Sequence, residues 1–184
     1  MADSNITKRA LAAALRELMD EEPFEKIQVA HICERCDMSR KSFYYHFKDK
    51  YDLVNWIFDT EIIPVVRRAI VSEQCVKWLQ LLSEGCAYFY ENRAFYRKAL
   101  KIEGQNSLVD HFREFIQPIL RLRLTELVGD LADDAFTVDF FTDAVVCSLV
   151  RWLLADVCEP ADAFVEKMLT LMHRSACAVC REFE

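Results

Sequence analysis

Residues that break helices are scarce in this chain, and their scarcity limits the folds open to it. Only three glycines and four prolines occur among 184 residues, which leaves little turn chemistry for a sheet of short strands. Apolar residues instead recur at helical spacing, as Leu11, Leu15 and Leu18 do. We therefore predict an all-α protein of about nine helices that meet at a few glycine- or proline-containing joints.

Charge is distributed unevenly along the chain. The formal net charge is -7, yet residues 1–50 hold nine basic and nine acidic side chains, so the excess acid lies in residues 51–184. This contrast indicates that the two parts face different partners. No uncharged run exceeds seven residues, whereas a membrane-spanning helix needs roughly 20 apolar residues. We expect a cytoplasmic protein that has no membrane partner.

The region around residue 37 has the pattern of two short helices joined by a tight turn. Gln28 to Arg35 is one short amphipathic segment, and Ser39 is a good N-cap for the next helix. Asp37 stands where the turn needs a left-handed backbone, which Asp tolerates better than most residues. This arrangement predicts a helix-turn-helix.

Residues 39–50 concentrate cations, hydroxyls and aromatic rings although the chain is acidic. Phe43 and Phe47 lie four residues apart and share the inner face of a helix. The side chains left to project outward are Arg40, Lys41, Ser42, Tyr45 and His46. Cations attract phosphates, while hydroxyls and rings make directional contacts, so this surface suits a DNA reader.

One stretch of roughly residues 6–54 resembles the DNA-binding signature of TetR/AcrR-type transcriptional regulators. The matching positions are Pro23-Phe24-x-x-Ile27-x-Val29, Ile32 and Met38-Ser39-Arg40-x-x-Phe43-Tyr44-x-His46-Phe47-x-x-Lys50-x-x-Leu53. The remainder, with Trp152-Leu153 followed by Pro160, more loosely resembles a TetR subfamily that includes regulators of dihydroxyacetone kinase operons. Asp37 departs from the glycine that is usual in this family.

The resemblance implies a three-helix DNA-binding domain over residues 1–50 and a larger helical regulatory and dimerisation domain over 51–184. It also implies phosphate contacts by Tyr44, His46 and Lys50, with the other outward residues facing the major groove. The amides at the start of the second helix favour a further phosphate. The predicted DNA contacts are Gln28, Val29, Ser39, Arg40, Lys41, Ser42, Tyr44, Tyr45, His46 and Lys50. The alternative is that these cations form a solvated face.

Segment 135–158 carries apolar residues around nearly its whole circumference, and segment 160–182 carries a wide apolar stripe. One neighbour within the subunit cannot cover both, so we predict a homodimer. The predicted interface residues are Phe141, Val145, Trp152, Phe164, Met168 and Met172. A two-fold dimer would present its recognition helices about 34 Å apart, as a palindromic operator requires.

Members of the family usually couple a ligand pocket in the helical domain to the spacing of the two DNA-reading heads. Aromatic residues that could line such a pocket are Trp56, Phe89, Phe112, Phe115 and Trp152. They could equally be ordinary core. The resemblance thus implies a repressor that an unknown small-molecule effector releases from its operator.

Eight cysteines leave room for a different function. A thiol- or metal-sensing regulator would use Cys33, Cys36, Cys177 and Cys180 together with His31. Both cysteine pairs lie within helical patterns that lack a turn residue between the cysteines, so we predict packed thiols and no metal. A further alternative is a co-regulator that acts through a protein partner. No catalytic motif is recognisable, and we predict neither an enzyme nor a cofactor.

Overall fold

The computed structural model describes residues 2–72, 75–76, 78–104, 106–129 and 134–182. Within these ranges the chain forms nine α-helices, which confirms the predicted all-α fold. They are α1 (Ala2–Glu21), α2 (Val29–Arg35), α3 (Arg40–His46), α4 (Lys50–Ala69), α5 (Trp78–Glu91), α6 (Arg93–Ala99), α7 (Leu108–Val128), α8 (Ala135–Leu154) and α9 (Ala161–Glu182). A turn of 3-10 helix, Phe24–Lys26, precedes α2. None of the described helices has the length and apolar composition needed to cross a membrane.

A short hairpin replaces the start of one predicted helix. Strands β1 (Ile70–Ser72) and β2 (Cys75–Val76) pair in antiparallel orientation. β-Branched residues occur in both strands, and such residues favour extended backbone. The apolar pattern of the sequence predicts a helix over about residues 73–91, whereas α5 begins at Trp78.

The contacts within the chain define two compact units. The first unit comprises Met1–Pro64 and Asn92–Leu108, and the second comprises Val65–Glu91 and Val109–Glu184. This division falls inside α4. The predicted boundary after residue 50 separates a DNA-binding domain from a regulatory domain by function, not by contacts within the chain. It stays a prediction.

Proline at position 64 predicts a kink or a break in the fourth helix. Helix α4 does not break there, since it continues through Pro64 to Ala69. A proline removes one backbone hydrogen bond from a helix. Ile62 and Val65 are buried on either side of Pro64. Their burial offsets part of that loss, so the helix does not end there.

The first three helices pack against one another in the first unit. Their shared core, together with the adjoining loop and α4, contains side chains that are less than 2% exposed: Leu11, Leu15, Ile27, Ile32, Phe43 and Leu53. Full burial of such a side chain contributes about 1.5–3 kcal/mol. The sequence favours Ser4 or Asn5 as the N-cap of the first helix, but both residues lie inside α1, which begins at Ala2.

A carboxylate joins α1, α4 and α6 within the first unit. Glu61 on α4 accepts a hydrogen bond from Arg16 on α1 and another from the Tyr96 hydroxyl on α6 at 2.6 Å. The Arg16 guanidinium also lies 4.0 Å from the centroid of the Phe95 ring. The half-buried charge of Glu61 is thereby paired and hydrogen-bonded, as a carboxylate in such a place requires.

The turn between α2 and α3 is a Schellman motif. The Met38 amide donates to the Cys33 carbonyl at 2.8 Å, and the Asp37 amide donates to the Glu34 carbonyl at 3.4 Å. Asp37 has φ = 52°, which confirms the predicted left-handed backbone. Ser39 then caps α3, because its hydroxyl accepts a hydrogen bond from the Ser42 amide at 3.1 Å.

In the second unit α5 packs on α9. A buried cluster of Leu124, Val138 and Phe141 joins α7 to α8. Asp134 caps α8, since its carboxylate accepts a hydrogen bond from the Thr137 amide at 3.2 Å. The sequence predicts a helix cap at Asp133-Asp134, and Asp134 has this role; residue 133 lies outside the described ranges.

Helix α8 ends at Leu154 rather than at residue 158 as predicted. The Trp152 indole N–H donates to the Glu159 carbonyl at 2.8 Å, so the chain must turn back after the helix. The Trp152 ring also stacks on Phe164 of α9, with centroids 4.4 Å apart and planes 3° apart. On α5, Tyr90 is stacked against Trp152 at 6.0 Å.

We predict that Asp37→Gly stabilises the protein by about 0.5–1 kcal/mol, because glycine adopts a left-handed backbone without the steric cost that a Cβ imposes. Urea unfolding followed by circular dichroism would measure the change. Ala13→Gly, at an exposed position inside α1, is the matched control and should destabilise by about 1 kcal/mol. A loss of stability in Asp37→Gly would contradict the assigned turn.

Candidate functional site

Helix α3 buries one face and exposes the other. Phe43 and Phe47 are buried, as predicted. Tyr44 is 58% exposed and Tyr45 is 83% exposed. An aromatic ring left so open to solvent is unusual, and large exposed rings mark surfaces that bind a partner.

Five of the predicted DNA contacts line one concave surface of the first unit: Ser39, Lys41, Ser42, Tyr44 and Tyr45. Two of the rings on this helix are oriented by neighbouring rings. The Tyr44 ring meets Phe43 edge to face at 5.4 Å, and the Tyr45 ring meets the half-buried His46 at 4.8 Å. The surface is therefore partly ordered before a partner binds.

The cations of this surface are not neutralised by neighbouring acids. No ion pair among the described residues involves Arg40, Lys41 or Lys48. The acids that follow α3 are instead used by the backbone at the start of α4. Asp49 accepts from the Asp52 amide at 2.8 Å, and Asp52 accepts from the Lys48 amide at 2.9 Å. The positive charge thus stays available to an anionic partner.

By contrast, the exposed cation of α2 is paired. Arg35 donates to Glu21 at 2.6 and 2.8 Å and to Glu17 at 3.4 Å. The hydrogen bond from Arg35 holds the pKa of Glu21 below its ordinary value. This pairing connects α2 to α1 and leaves the free cations of the helix-turn-helix on α3.

The beginning of α2 matches the prediction only in part. Gln28 is exposed and Val29 is half-buried, as a surface near DNA requires. The Gln28 amide, however, already donates to Nδ1 of His31 at 3.5 Å. One of the amides predicted to be open to a phosphate therefore has a partner.

Lys50 differs most from its predicted role. Its Nζ donates to the carbonyls of Phe24 at 2.6 Å, Ile27 at 2.8 Å and Glu25 at 3.4 Å. Burial lowers the pKa of Lys50. An ammonium has three N–H donors, and all three are engaged here. The structure thus gives Lys50 a partner set other than the predicted phosphate.

Lys8 of α1 was not among the predicted contacts. Its Nζ lies 5.7 Å from the centroid of the Phe47 ring and 5.8 Å from that of Trp56. This places a half-buried cation beside the end of α3. This position could not be predicted from the sequence, because Lys8 falls within the ordinary amphipathic pattern of α1.

The predicted ligand-binding residues do not form one group. Trp56 packs edge to face on Phe47 at 5.7 Å and belongs to the first unit, behind α3. Phe89 and Phe112 are buried in the second unit and meet each other at 5.8 Å. The half-buried Phe115 lies one turn of α7 beyond Phe112. We therefore remove Trp56 from the predicted set.

Trp78 is a further aromatic residue of the second unit, at the start of α5. Its indole Nε1 is buried and has no hydrogen-bond partner among the described residues. The Arg123 guanidinium lies 6.0 Å from the centroid of its ring. A buried donor without a partner costs free energy, and it is suited to an acceptor group on a ligand.

The predicted dimer residues are largely buried within the chain itself. Five of them line an apolar groove of about 340 Å³ between α8 and α9: Phe141, Val145, Phe164, Met168 and Met172. Trp152 is the sixth, and its ring is stacked between Tyr90 and Phe164 of the same unit. Little of the Trp152 ring is thus exposed for a contact with a second copy, and its assignment to the interface stays a prediction.

The apolar residues that α8 and α9 expose are not the predicted dimer residues. Phe136 is 74% exposed and Phe140 is 58% exposed on α8, and Leu171 is 66% exposed on α9. The exposed Ala144 and Cys147 continue the same face of α8 at helical spacing. We call the set Phe136, Phe140, Ala144 and Cys147 the α8 stripe.

The cysteines of α2 are poorly suited to sensing. Burial raises the pKa of the Cys33 and Cys36 thiols, which disfavours the thiolate that reacts and binds metals. The Cys36 thiol donates to the Ile32 carbonyl at 3.2 Å. No cluster of metal-binding side chains was found among the described residues. The side chains of Cys177 and Cys180 lie outside them.

Two family models match the chain. The family described as bacterial regulatory proteins, tetR family, matches residues 10–57, which contain α2 and α3. The family described as transcriptional regulator C-terminal region matches residues 77–174, just over half of the chain.

Similar proteins include the HTH-type dhaKLM operon transcriptional activator DhaS of Lactococcus lactis subsp. lactis (strain IL1403). It is 27% identical over 103 residues, which are 56% of this chain and 54% of that protein. The chain thus spans about half the length of this relative.

Among solved structures, one titled Dihydroxyacetone kinase operon activator DhaS matches with a TM-score of 0.63 and 18% identity. The match covers 94% of this chain and 97% of that chain. At this level of identity the likeness concerns the fold alone.

Proposed function

Because the chain belongs to the TetR family of bacterial transcriptional regulators, we propose that it binds a palindromic operator in double-stranded DNA as a homodimer. The observation that carries the proposal is the outer face of α3, where Arg40 and Lys41, which have no ion-pair partner among the described residues, lie beside two exposed tyrosine rings. Such a face offers phosphate contacts and base contacts together. Access to the chromosome places the protein in the cytoplasm.

The proposed contacts divide by chemistry. Arg40 and Lys41 suit the N7 and O6 acceptors of guanine, while Ser42 and the Tyr45 ring suit base edges or a thymine methyl. Phosphate contacts are assigned to the remaining predicted residues except Lys50: Gln28, Val29, Ser39, Tyr44 and His46. This division predicts that loss of Lys41 or Tyr45 affects sequence preference more than general affinity.

We predict that Lys41→Ala and Tyr45→Ala each reduce the preference for operator over scrambled duplex by about 1–3 kcal/mol. The operator would be selected from a random-sequence library, and both dissociation constants would be measured at one salt concentration. Lys101→Ala removes an exposed charge in the turn after α6 and should leave the preference unchanged. Unchanged preference in both α3 variants would exclude Lys41 and Tyr45 from base contacts.

The homodimer is proposed to form through α8 and α9. The α8 stripe exposes two phenylalanine rings that stack at 6.5 Å. Water contact with so much apolar surface is unfavourable, and a second copy related by a two-fold axis would cover it. The arrangement also gives two copies of α3 for the two halves of a palindrome.

We predict that Phe140→Glu converts the dimer into a monomer, because a carboxylate would be buried in an apolar interface. Light scattering at micromolar concentration would then return a mass of 21.5 kDa, the mass of one chain. Ile6→Glu alters an equally exposed apolar residue of α1 and should leave the dimer intact. A monomeric unsubstituted protein, or a dimeric Phe140→Glu protein, would contradict the proposed interface.

An effector is proposed to bind in the second unit, to which the predicted residues Phe89, Phe112, Phe115 and Trp152 belong. By preferring one conformation of the dimer, the effector would change the fraction of protein able to bind DNA.

Family membership leads us to propose repression, with the effector causing release from DNA. A second candidate is activation, which is favoured by the names of the similar protein and of the similar solved structure, since each is called an activator. Those names also make promoters of dihydroxyacetone kinase genes the first fragments to test as operators.

A reporter gene fused to the promoter that the protein binds would separate the two candidates. Repression predicts that deleting the gene for this chain raises reporter expression, whereas activation predicts that deletion lowers it. A variant that carries both Lys41→Ala and Tyr45→Ala should reproduce the deletion if DNA contact by α3 is required. A promoter that responds to neither change would not be a target.

A further inference from the structure

The ammonium of Lys50 lies inside a ring of three backbone carbonyls. Phe24, Glu25 and Ile27 supply these oxygens, at 2.6, 3.4 and 2.8 Å from Nζ. They belong to the 3-10 turn Phe24–Lys26 and to the residue that ends it. The Phe24 carbonyl also accepts a hydrogen bond from the Ile27 amide at 3.1 Å. The last carbonyls of a helical turn form its negative end, so a cation beside them is favourable.

Aromatic rings enclose the same ammonium. Its Nζ is 4.3 Å from the centroid of Phe24 and 5.9 Å from that of Tyr51. These two rings meet edge to face at 5.2 Å. Hydrogen bonds to three carbonyls and contact with two rings hold the ammonium in one place, whereas a lysine that binds phosphate from solution needs free donors.

The loop that Lys50 holds determines where the helix-turn-helix begins. Residues 24–27 connect α1 to α2, and Gln28 directly after them is the N-cap of α2. Helix α2 packs against both α1 and α3. Lys50 is itself the first residue of α4. Its side chain therefore ties the start of α4 to the segment that sets the placement of α2, and α2 in turn supports α3.

We propose that Lys50 is a positioning residue for DNA recognition, which holds the connection between α1 and α2 and thereby the orientation of α3, without contacting DNA itself. This inference rests on the proposed function as a DNA-binding protein. In this role the Lys50 ammonium binds backbone carbonyls inside the first unit. In a phosphate contact it would instead bind the DNA backbone.

Two variants of Lys50 separate these roles. Lys50→Met removes the ammonium but keeps an unbranched side chain. Lys50→Arg keeps the charge, but a planar guanidinium cannot direct its donors to three carbonyls as a compact ammonium does. Lys48→Met is the matched control, because Lys48 is an exposed lysine two residues earlier whose ammonium has no described ion-pair partner.

Dissociation constants for the selected operator and for scrambled duplex would be measured over a series of salt concentrations, well below the melting temperature of every variant. We expect Lys50→Met to bind the operator at least tenfold more weakly and to lose most of its preference over scrambled duplex. The dependence of log affinity on log salt should keep its slope. Lys50→Arg should lose a smaller part of the preference, and Lys48→Met should retain it.

Two results would overturn the inference. A phosphate contact predicts equal losses on both duplexes, a salt slope smaller by about one, and restoration by Lys50→Arg. A purely structural role predicts lower melting temperatures while the folded variants bind as the unsubstituted protein does. The ratio of the dissociation constants for scrambled duplex and operator changes only if Lys50 acts through α3.

Failure of the proposed function would look different. In that case the unsubstituted protein would bind no selected duplex even at low salt, and the inference about recognition would fall with it. Amide hydrogen exchange of the free protein would still report on the loop, because Lys50→Met should speed exchange at residues 27–30 and Lys48→Met should not. Unchanged exchange in Lys50→Met, in a protein that does bind DNA, would also count against the inference.

Discussion

The exposed face of α3 depends on the burial of Phe43 and Phe47 on the opposite face. The two rings lie four residues apart and enter the core of the first unit, which fixes the rotation of α3 about its own axis. Once that rotation is fixed, the intervening Tyr44 and Tyr45 must face outward. Helical geometry and apolar packing thus place the functional side chains, and no separate interaction is needed to expose them.

The helix-turn-helix could be predicted from the sequence because its signals are local. Asp37 and Ser39 act on the backbone within three residues of themselves, as a left-handed turn and an N-cap. The spacing of Phe43 and Phe47 identifies the inner face without knowledge of what covers it. The order of the helices and the outward residues of α3 therefore followed from short stretches of chain.

Other features could not be predicted because they depend on residues far apart in sequence. The carbonyls that surround Lys50 come from more than 20 residues earlier in the chain, so its position alone suggested a surface cation. Helix α8 is apolar on nearly every side, and periodicity cannot tell which apolar face meets α9. Phe141 was thus assigned to a dimer contact, whereas Phe136 and Phe140 are the exposed residues.

The turn at Asp37 limits how this part of the chain can evolve. The side chain of Asp37 is exposed, and at such a position most substitutions are ordinarily neutral. Here the backbone, with φ = 52°, restricts the site to the few residue types that accept this conformation. Chain geometry therefore restricts a residue that faces solvent, whereas the neighbouring exposed positions on α3, whose backbone is helical, carry no such restriction.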